Sequence, residues 1–202
     1  MNALEALARV RALGVPVIGT ADAATALKLS TSAASKTLAR LAEAGLITSV
    51  RQGTWWVAGA VDPYRLPEYL TAPLDSYLSV QTALHLHGLI EQVPSVYYAV
   101  SLARTQHVET SAGTFSIHHL APEVFGGYDQ TEHGAKLATA EKALFDFAYL
   151  SAGRSRIFTS LPELELPRGF RRNECARWLD RITSERSRTI TRNKLEQLLS
   201  RG

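Results

Sequence analysis

The stretch LSTSAASKTLARLAEAGLI, residues 29–47, predicts an amphipathic helix whose first half carries almost only short side chains. Ala34, Leu38 and Leu41 recur at helical spacing and form the expected buried stripe. Ser30 or Thr31 is the expected N-cap of this helix, and Gly45 stands where a left-handed C-terminal cap belongs. The opposite side keeps hydroxyls and two cations, and the first turn has no acid to balance the helix dipole. We therefore expect this end of the helix to face an anion such as phosphate.

Two shorter helices are predicted before this stretch, and a hairpin is predicted after it. Residues 2–13 have apolar side chains at helical spacing, and Thr20 is expected to be the N-cap of a second helix. Residues 46–50 and 54–57 are strand-like, and the loop between them is basic and ends in Gly53. Three helices followed by such a hairpin is the order of a winged helix-turn-helix. In that arrangement the third helix enters the major groove and the wing lies along the backbone.

This order assigns roles to the exposed side chains of the third helix and the hairpin tip. Cations neutralise phosphates, whereas short hydroxyls and amides bond to bases or sugars of double-stranded DNA. The predicted phosphate contacts are Lys36, Arg40 and Arg51. The predicted contacts to bases or sugars are Thr31, Ser32, Ser35 and Gln52. An ordinary surface helix and a winged helix that binds protein are the two alternatives.

Charge is distributed unevenly along the chain. Residues 1–57 carry a net charge of +3, residues 58–150 carry −6 and residues 151–202 carry +6, which sum to +3. Such segments suggest separate surfaces with separate partners, although solvated faces of one domain would look the same. No apolar run approaches the roughly 20 residues of a membrane span. Cys175 is the single cysteine, which predicts neither a disulfide nor a cysteine-based metal site and favours a cytoplasmic location.

The predicted fold class is α+β, with three segments in chain order. A winged helix-turn-helix over residues 1–60 precedes a mixed α/β domain over 61–150 and a basic helical region over 151–202. Residues 62–74 contain three prolines and are expected to be a linker. Residues 138–150 predict a strong helix in which Lys142 and Asp146, four apart, form a modest ion pair on a solvated face.

The basic region predicts two amphipathic helices, over residues 174–182 and 191–199. Its arginines suit a surface that runs along phosphates or faces an acidic partner. They equally suit a helical cap that the arginines only keep soluble.

Sites for catalysis or metal binding have weak support. Two histidine pairs are the residues from which a zinc site could be built: His85 with His87, and His118 with His119. No HExxH spacing or cysteine supports that site, and no G-x-S-x-G or P-loop pattern occurs. We therefore expect no catalytic residue, no metal and no cofactor.

Three further segments follow the predicted winged helix, which ends EAGLITSVRQGTWWV at residues 43–57. They are YLSVQTALHLHGL at 77–89, VYYAVS at 96–101 and LATAEKALFDFAYL at 137–150. In this order the segments resemble the AbiEi family, the antitoxins of type IV toxin–antitoxin systems in phage defence. The resemblance covers roughly residues 15–150.

The resemblance implies two functions in one chain. The winged helix would bind inverted repeats in the promoter of its own operon, with a dimer on the DNA as one arrangement, and act as a transcriptional repressor. The remainder would counteract a nucleotidyltransferase toxin, directly or through its effects, by residues that the motifs do not identify. A ligand-responsive winged-helix regulator without a toxin partner is the main alternative. An enzyme with an appended winged helix is the other.

Overall fold

The computed structural model of the chain describes residues 2–152 and 163–200. The expected mixed α+β fold with a mixed sheet is confirmed. The chain divides into two compact units, Met1–Pro63 with Glu109–Gly113, and Tyr64–Val108 with Thr114–Gly202. The predicted helical region at residues 151–202 is described except for residues 153–162 and 201–202, which lie outside the described residues.

The first unit contains three helices and a three-stranded antiparallel sheet of order β1-β3-β2. Its elements are α1 (Ala3–Arg11), β1 (Val17–Gly19), α2 (Thr20–Leu27), α3 (Thr31–Glu43), β2 (Thr48–Arg51) and β3 (Thr54–Trp56). Each helix turns an apolar stripe inward, and the predicted stripe of α3 is fully buried, with Leu38 and Leu41 at most 1% exposed. These leucines share one core with Leu7, Ile18 and Trp55.

The predicted cap of α2 is wrong, whereas the caps of α3 agree with the sequence. Thr20 is the first residue of α2, and the backbone N–H of Gly19 before it donates to the Asp22 carboxylate (3.2 Å). The Thr20 hydroxyl is not free to cap, because it accepts the indole N–H of Trp55 (2.9 Å). Ser30 caps α3, and Gly45 after α3 has the expected left-handed conformation, with φ of 70°.

The second unit is built around a six-stranded mixed sheet of order β6-β7-β5-β4-β9-β8. The strands of this sheet are β4 (Ser76–Leu78), β5 (Tyr97–Ser101), β6 (Gln106–Thr110), β7 (Gly113–His119), β8 (Tyr128–Gln130) and β9 (Lys136–Ala138). The residues where β6 turns into β7, Glu109–Gly113, are counted with the first unit. Strand β4 pairs antiparallel with β5 and parallel with β9, and β5 pairs parallel with β7. Its helices are α4 (Leu66–Thr71), α5 (Val80–Leu86), α6 (Ala140–Ala152), α7 (Arg172–Leu179) and α8 (Glu185–Leu199).

The expected linker at residues 62–74 is wrong in part, because α4 lies within it. Leu66 and Leu70 of this helix are buried. The Thr71 hydroxyl at its end lies 3.1 Å from the Ser76 hydroxyl, so the helix is tied to the start of β4. The prolines therefore shape a packed element, and Pro67 occupies the first turn of a helix, where a proline costs nothing.

The two C-terminal helices exist but have different bounds from those predicted. Helix α7 begins at Arg172 and ends at Leu179, and α8 begins at Glu185, six residues before the predicted start. Ser184 sets that start, since its hydroxyl accepts the N–H of Ser187 (3.3 Å). Both helices pack on α6 through a shared core that includes Leu195. Within residues 2–152 and 163–200, no helix has the length and apolarity that a membrane span requires.

Candidate nucleic-acid interface

Helix α3 presents a polar face along its whole length. Ser32, Lys36 and Arg40 follow each other at four-residue spacing, and all three are exposed. Thr31 and Ser35 are exposed on the same side of the first turns. All five are residues that the sequence predicts as contacts. The structure thus brings one row of hydroxyls and two cations onto one side of a helix whose other side is core.

The N-terminal end of α3 has free hydrogen-bond donors and no negative charge. The Ser30 hydroxyl accepts the N–H of Ala33 (3.2 Å), and the Ser30 carbonyl accepts the N–H of Ala34 (2.9 Å). The first turn contains no acidic residue. An α-helix start supplies a partial positive charge and unpaired N–H groups, so this end attracts an anion.

Two arginines of the first unit are already used, and the cations without a partner among the described residues lie in or directly before α3. Arg9 forms an ion pair with Glu5 (2.9 Å), and Arg11 donates to the carbonyl of Val57 (2.9 Å). Three cations have no hydrogen bond or ion pair with any described residue: Lys28, Lys36 and Arg40. Their charges are available to an external anion.

The hairpin tip lies beside the start of α2. The Gly53 carbonyl accepts the backbone N–H of Thr20 (3.0 Å), which fixes the tip to the helix. Gly53 has φ of 78°, a conformation that favours glycine. Gln52 is exposed, whereas Arg51 is half-buried, and its Nε donates to the Thr54 hydroxyl (3.4 Å). Of the two predicted tip contacts, Gln52 is therefore the more accessible.

Lys28 is a residue that the sequence argument missed. It lies in the three-residue turn between α2 and α3, is exposed, and has φ of 54°. A hydrogen bond from the Leu29 N–H to the Ala24 carbonyl (3.0 Å) closes the turn. In this pattern the residue directly after the helix, here Lys28, is usually glycine. The lysine therefore gave no signal of this turn in the sequence.

A second polar cluster lies inside the second unit, and here the sequence prediction is wrong. Lys142 and Asp146 are both fully buried, not a pair on a solvated face. The Asp146 carboxylate accepts from the Lys142 ammonium, from the Tyr77 hydroxyl (3.1 Å) and from the Ser79 hydroxyl (2.7 Å). The cause is packing by distant segments, because Tyr77 of β4, Ser79 and Trp178 of α7 all contact the pair, and local periodicity does not reveal such contacts.

Aromatic rings enclose the Lys142 ammonium. It lies 4.5 Å from the ring centre of Trp178, 5.1 Å from that of Phe145 and 5.5 Å from that of Tyr77. A Cβ on Gly127 would lie 2.5 Å from the Trp178 ring, so no larger residue fits there.

Burial shifts the pKa values of these groups in opposite directions. It lowers the pKa of Lys142 and raises that of Asp146, while their mutual attraction opposes both shifts. Burial, with the Asp146 charge, also raises the pKa of Tyr77 well above its ordinary value. Because Lys142, Asp146, Tyr77 and Ser79 are all fully buried, the cluster presents nothing to a substrate. It joins β4, α5 and α6 instead.

The histidines considered for zinc each bond to a protein group. His85 contacts the Ile90 carbonyl (3.3 Å) and His87 the Ala138 carbonyl (2.7 Å). The other two bonds are His118 Nε2 to the Ser116 hydroxyl (2.8 Å) and His119 Nδ1 to the Ala103 carbonyl (3.1 Å). In the described part of the chain, no three His, Cys, Asp or Glu side chains group together as metal ligands.

Several arginines of the C-terminal region bind their own chain. Arg172 donates to the Leu199 carbonyl (3.1 Å) at the end of α8, and Arg188 donates to the Ile182 carbonyl (2.6 Å) in the loop between α7 and α8. Arg171 pairs with Glu141 (3.4 Å), and Arg181 stacks on Trp178, 4.3 Å from the ring centre. These contacts favour the interpretation of a helical cap over that of a continuous phosphate-binding track.

Protein-family models and curated proteins were both compared with the chain, and neither comparison gives a match. The geometry of α3 and the hairpin is therefore the basis for the functional argument.

Proposed function

We propose that the first unit is a winged helix-turn-helix that binds double-stranded DNA, and that the chain is an autorepressor and antitoxin of the AbiEi type. The observation that carries the DNA-binding part is the exposed face of α3. It combines Lys36 and Arg40, which have no partner among the described residues, with hydroxyls and an acid-free first turn. Such a face suits the major groove, because short side chains allow close approach and cations neutralise phosphates.

The proposal divides the contacts by chemistry. Lys36, Arg40 and the half-buried Arg51 neutralise phosphates and supply affinity that depends on salt but not on sequence. The short hydroxyls and the exposed amide supply base or sugar contacts, and these are Thr31, Ser32, Ser35 and Gln52. The Thr20 N–H at the start of α2 donates to the Gly53 carbonyl at the hairpin tip. In this proposal α2 and the hairpin therefore approach the DNA as one element.

The antitoxin part rests on the order of segments that resembles the AbiEi family. In this proposal the first unit represses the operon by binding inverted repeats in its promoter. The second unit counteracts a nucleotidyltransferase toxin, and we assign no residue to that role. Both functions act on partners encoded beside the gene, so the neighbouring reading frame and the upstream sequence are the probes to use.

The DNA-binding part is tested by gel shifts on the upstream region at several salt concentrations. Lys36→Ala should weaken binding to every operator variant and lower the slope of log affinity against log salt by about one. Arg9→Ala is the matched control, because Arg9 is an exposed cation that is already paired with Glu5. Ser35→Ala should instead change the discrimination between operator variants. Equal binding by all of these variants and the wild type would overturn the docking proposal.

The antitoxin part is tested by co-expression with the neighbouring open reading frame. The proposal expects that this neighbour is a nucleotidyltransferase that arrests growth and that the chain restores growth. Rescue should survive Lys36→Ala, since that residue belongs to the DNA-binding face. A neighbour without toxicity, or toxicity that the chain leaves unchanged, would remove the antitoxin function and leave the repressor function standing.

The ligand-responsive alternative has one structural feature in its favour. An open surface depression of about 650 Å³ in the second unit is lined by four exposed residues, Glu91, Gln92, Glu163 and Glu165. Three carboxylates in its lining would select a cationic effector. Release of the DNA by a small cation, abolished by Glu91→Gln, would support this function over the antitoxin.

A further inference from the structure

The hairpin tip of the first unit is held at both of its ends. Its residues Arg51 and Gln52 are the two that the proposed function places on DNA. On one side of them, the Gly53 carbonyl accepts the N–H of the first residue of α2 (3.0 Å). On the other side, the Val50 carbonyl accepts the backbone N–H of Ser111 (3.0 Å). The backbone that carries both predicted contacts therefore lies between two fixed carbonyls.

The second of these anchors comes from a turn far along the chain. Ser111 lies where β6 turns into β7, in the segment Glu109–Gly113 that is counted with the first unit. The Thr110 hydroxyl donates to the Gly113 carbonyl (2.7 Å) and accepts the N–H of Ala112 (3.1 Å). These bonds within the segment shape the turn, so the Ser111 N–H is left to donate to the hairpin.

Strand β2 is irregular at the residue that this turn holds. Ser49 of β2 pairs with Trp55 of β3. Arg51 pairs with Thr54, directly before Trp55, so Val50 is an extra residue of β2. A bulge of this kind leaves a residue outside the ladder and changes the direction of the side chains beside it. The bond from the turn therefore fixes the part of β2 whose conformation the pairing with β3 leaves open.

We propose that Ser111 is a positioning residue of the DNA interface, whose backbone N–H holds the hairpin tip in the conformation that places Arg51 and Gln52 on the duplex. This inference rests on the proposed function and adds to it a segment about 60 residues beyond the hairpin. A tip that is ordered before binding loses less conformational entropy on the DNA, so its contacts give more affinity. Ser111 acts through the tip and not by its own contact with DNA.

Removal of the Ser111 N–H tests the proposal in gel shifts on the upstream region. Ser111→Pro has no N–H to donate, and we expect the affinity to fall roughly tenfold because the tip must then be ordered on binding. The conservative variant Ser111→Ala keeps the N–H and should restore the affinity of the wild type. Equal affinity of Ser111→Pro and the wild type would overturn the proposal. A wild type that binds no DNA would instead overturn the proposed function.

A change of background separates positioning from general damage to the fold. In a chain with Arg51→Ala and Gln52→Ala, the tip has no contact left to lose, so adding Ser111→Pro should weaken binding less than about twofold. In the Lys36→Ala background the roughly tenfold loss should remain, because Lys36 belongs to α3 and not to the tip. The same loss in both backgrounds would overturn the positioning role.

Backbone relaxation by nuclear magnetic resonance measures the anchor without DNA. In Ser111→Pro, the order parameters of Arg51 and Gln52 should fall from roughly 0.85 towards 0.6, while those of α3 stay unchanged. Thr110→Val is the milder variant, since it removes the two bonds that shape the turn and keeps the Ser111 N–H. It replaces Ser111→Pro in every test if the proline prevents folding, with a smaller loss in the same direction. Unchanged order at the tip would overturn the proposal.

Discussion

Helices α3 and α6 have the same length, 13 residues, and use a lysine in opposite ways. Lys36 of α3 is exposed and has no partner among the described residues. Lys142 of α6 is fully buried, pairs with Asp146 and is enclosed by aromatic rings. The same side chain is thus available to a ligand in one helix and part of the core in the other. The surroundings of each helix decide whether its lysine is exposed or buried. A substitution at Lys36 should therefore affect ligand binding, whereas a substitution in the Lys142–Asp146 pair should affect stability.

The largest effect is expected at the buried pair. Asp146→Ala leaves the Lys142 charge buried without a partner, and we expect the free energy of unfolding to fall by about 3–5 kcal/mol. Chemical denaturation measures this. The control is Glu5→Ala, which breaks the exposed pair with Arg9 and should cost less than about 1 kcal/mol. Similar losses for the two variants would contradict the contrast between buried and exposed charge.

A smaller effect is expected in the pH dependence of stability, because the imidazole of His118 is buried. Burial lowers the pKa of His118 to about 4, below its ordinary value of 6.5. The unfolded chain therefore binds more protons between these values, and stability should fall as the pH drops from about 6.5 to 4. Protonation of His118 should lower the free energy of unfolding by an amount on the order of 2 kcal/mol. His118→Gln should flatten this part of the stability–pH curve, and a curve parallel to the wild type would refute the assignment.

Lys28 should show a gain in stability together with a loss of affinity. Lys28→Gly places glycine at a left-handed position, and we expect the free energy of unfolding to rise by up to about 1 kcal/mol. The variant also removes a cation beside α3 that has no partner among the described residues, so binding to the operator should weaken. Thermal unfolding and gel shifts on one preparation test both, and a gain in stability without a loss of affinity would exclude Lys28 from the interface.

The smallest effect on stability is expected on the exposed face of α3. Lys36→Ala should change the free energy of unfolding by less than about 0.5 kcal/mol, because no described residue depends on it. The main effect of Lys36→Ala should be a loss of DNA affinity. Denaturant unfolding of the variant should overlay that of the wild type, and a large loss of stability would mean that Lys36 has a structural role.

Sequence reasoning succeeds where the signal is local. The buried stripe of α3, its serine cap and the glycine after it follow from helical spacing and capping chemistry within about 16 residues. The exposure of Ser32, Ser35 and Lys36 follows from the same periodicity. Their contact with DNA stays a prediction, because exposure shows only that a ligand could reach them.

Sequence reasoning fails where burial comes from a distant segment. The ion pair in α6 has the spacing of a surface pair, but Ser79 and Tyr77, which lie 67 and 69 residues before Asp146, bond to that carboxylate. Trp178 of α7 lies over the Lys142 ammonium. The Glu141 carboxylate accepts the backbone N–H of Arg171 (3.0 Å). The backbone carbonyl oxygen of Glu141 lies 3.3 Å from the Cys175 sulfur. Such contacts cannot be inferred from local periodicity. The left-handed turn at Lys28 was missed for another reason, since glycine is the residue that normally signals it.

The contact of Trp178 with two cations, Lys142 and Arg181, gives the protein a spectroscopic reporter. The other two tryptophans, Trp55 and Trp56, belong to the first unit, so Trp178 is the sole indole of the second. Loss of α7 from α6 would expose this ring to water and shift its emission to longer wavelength. In a Trp178→Phe variant the remaining emission follows the first unit alone, so the melting of each unit can be recorded without an added dye.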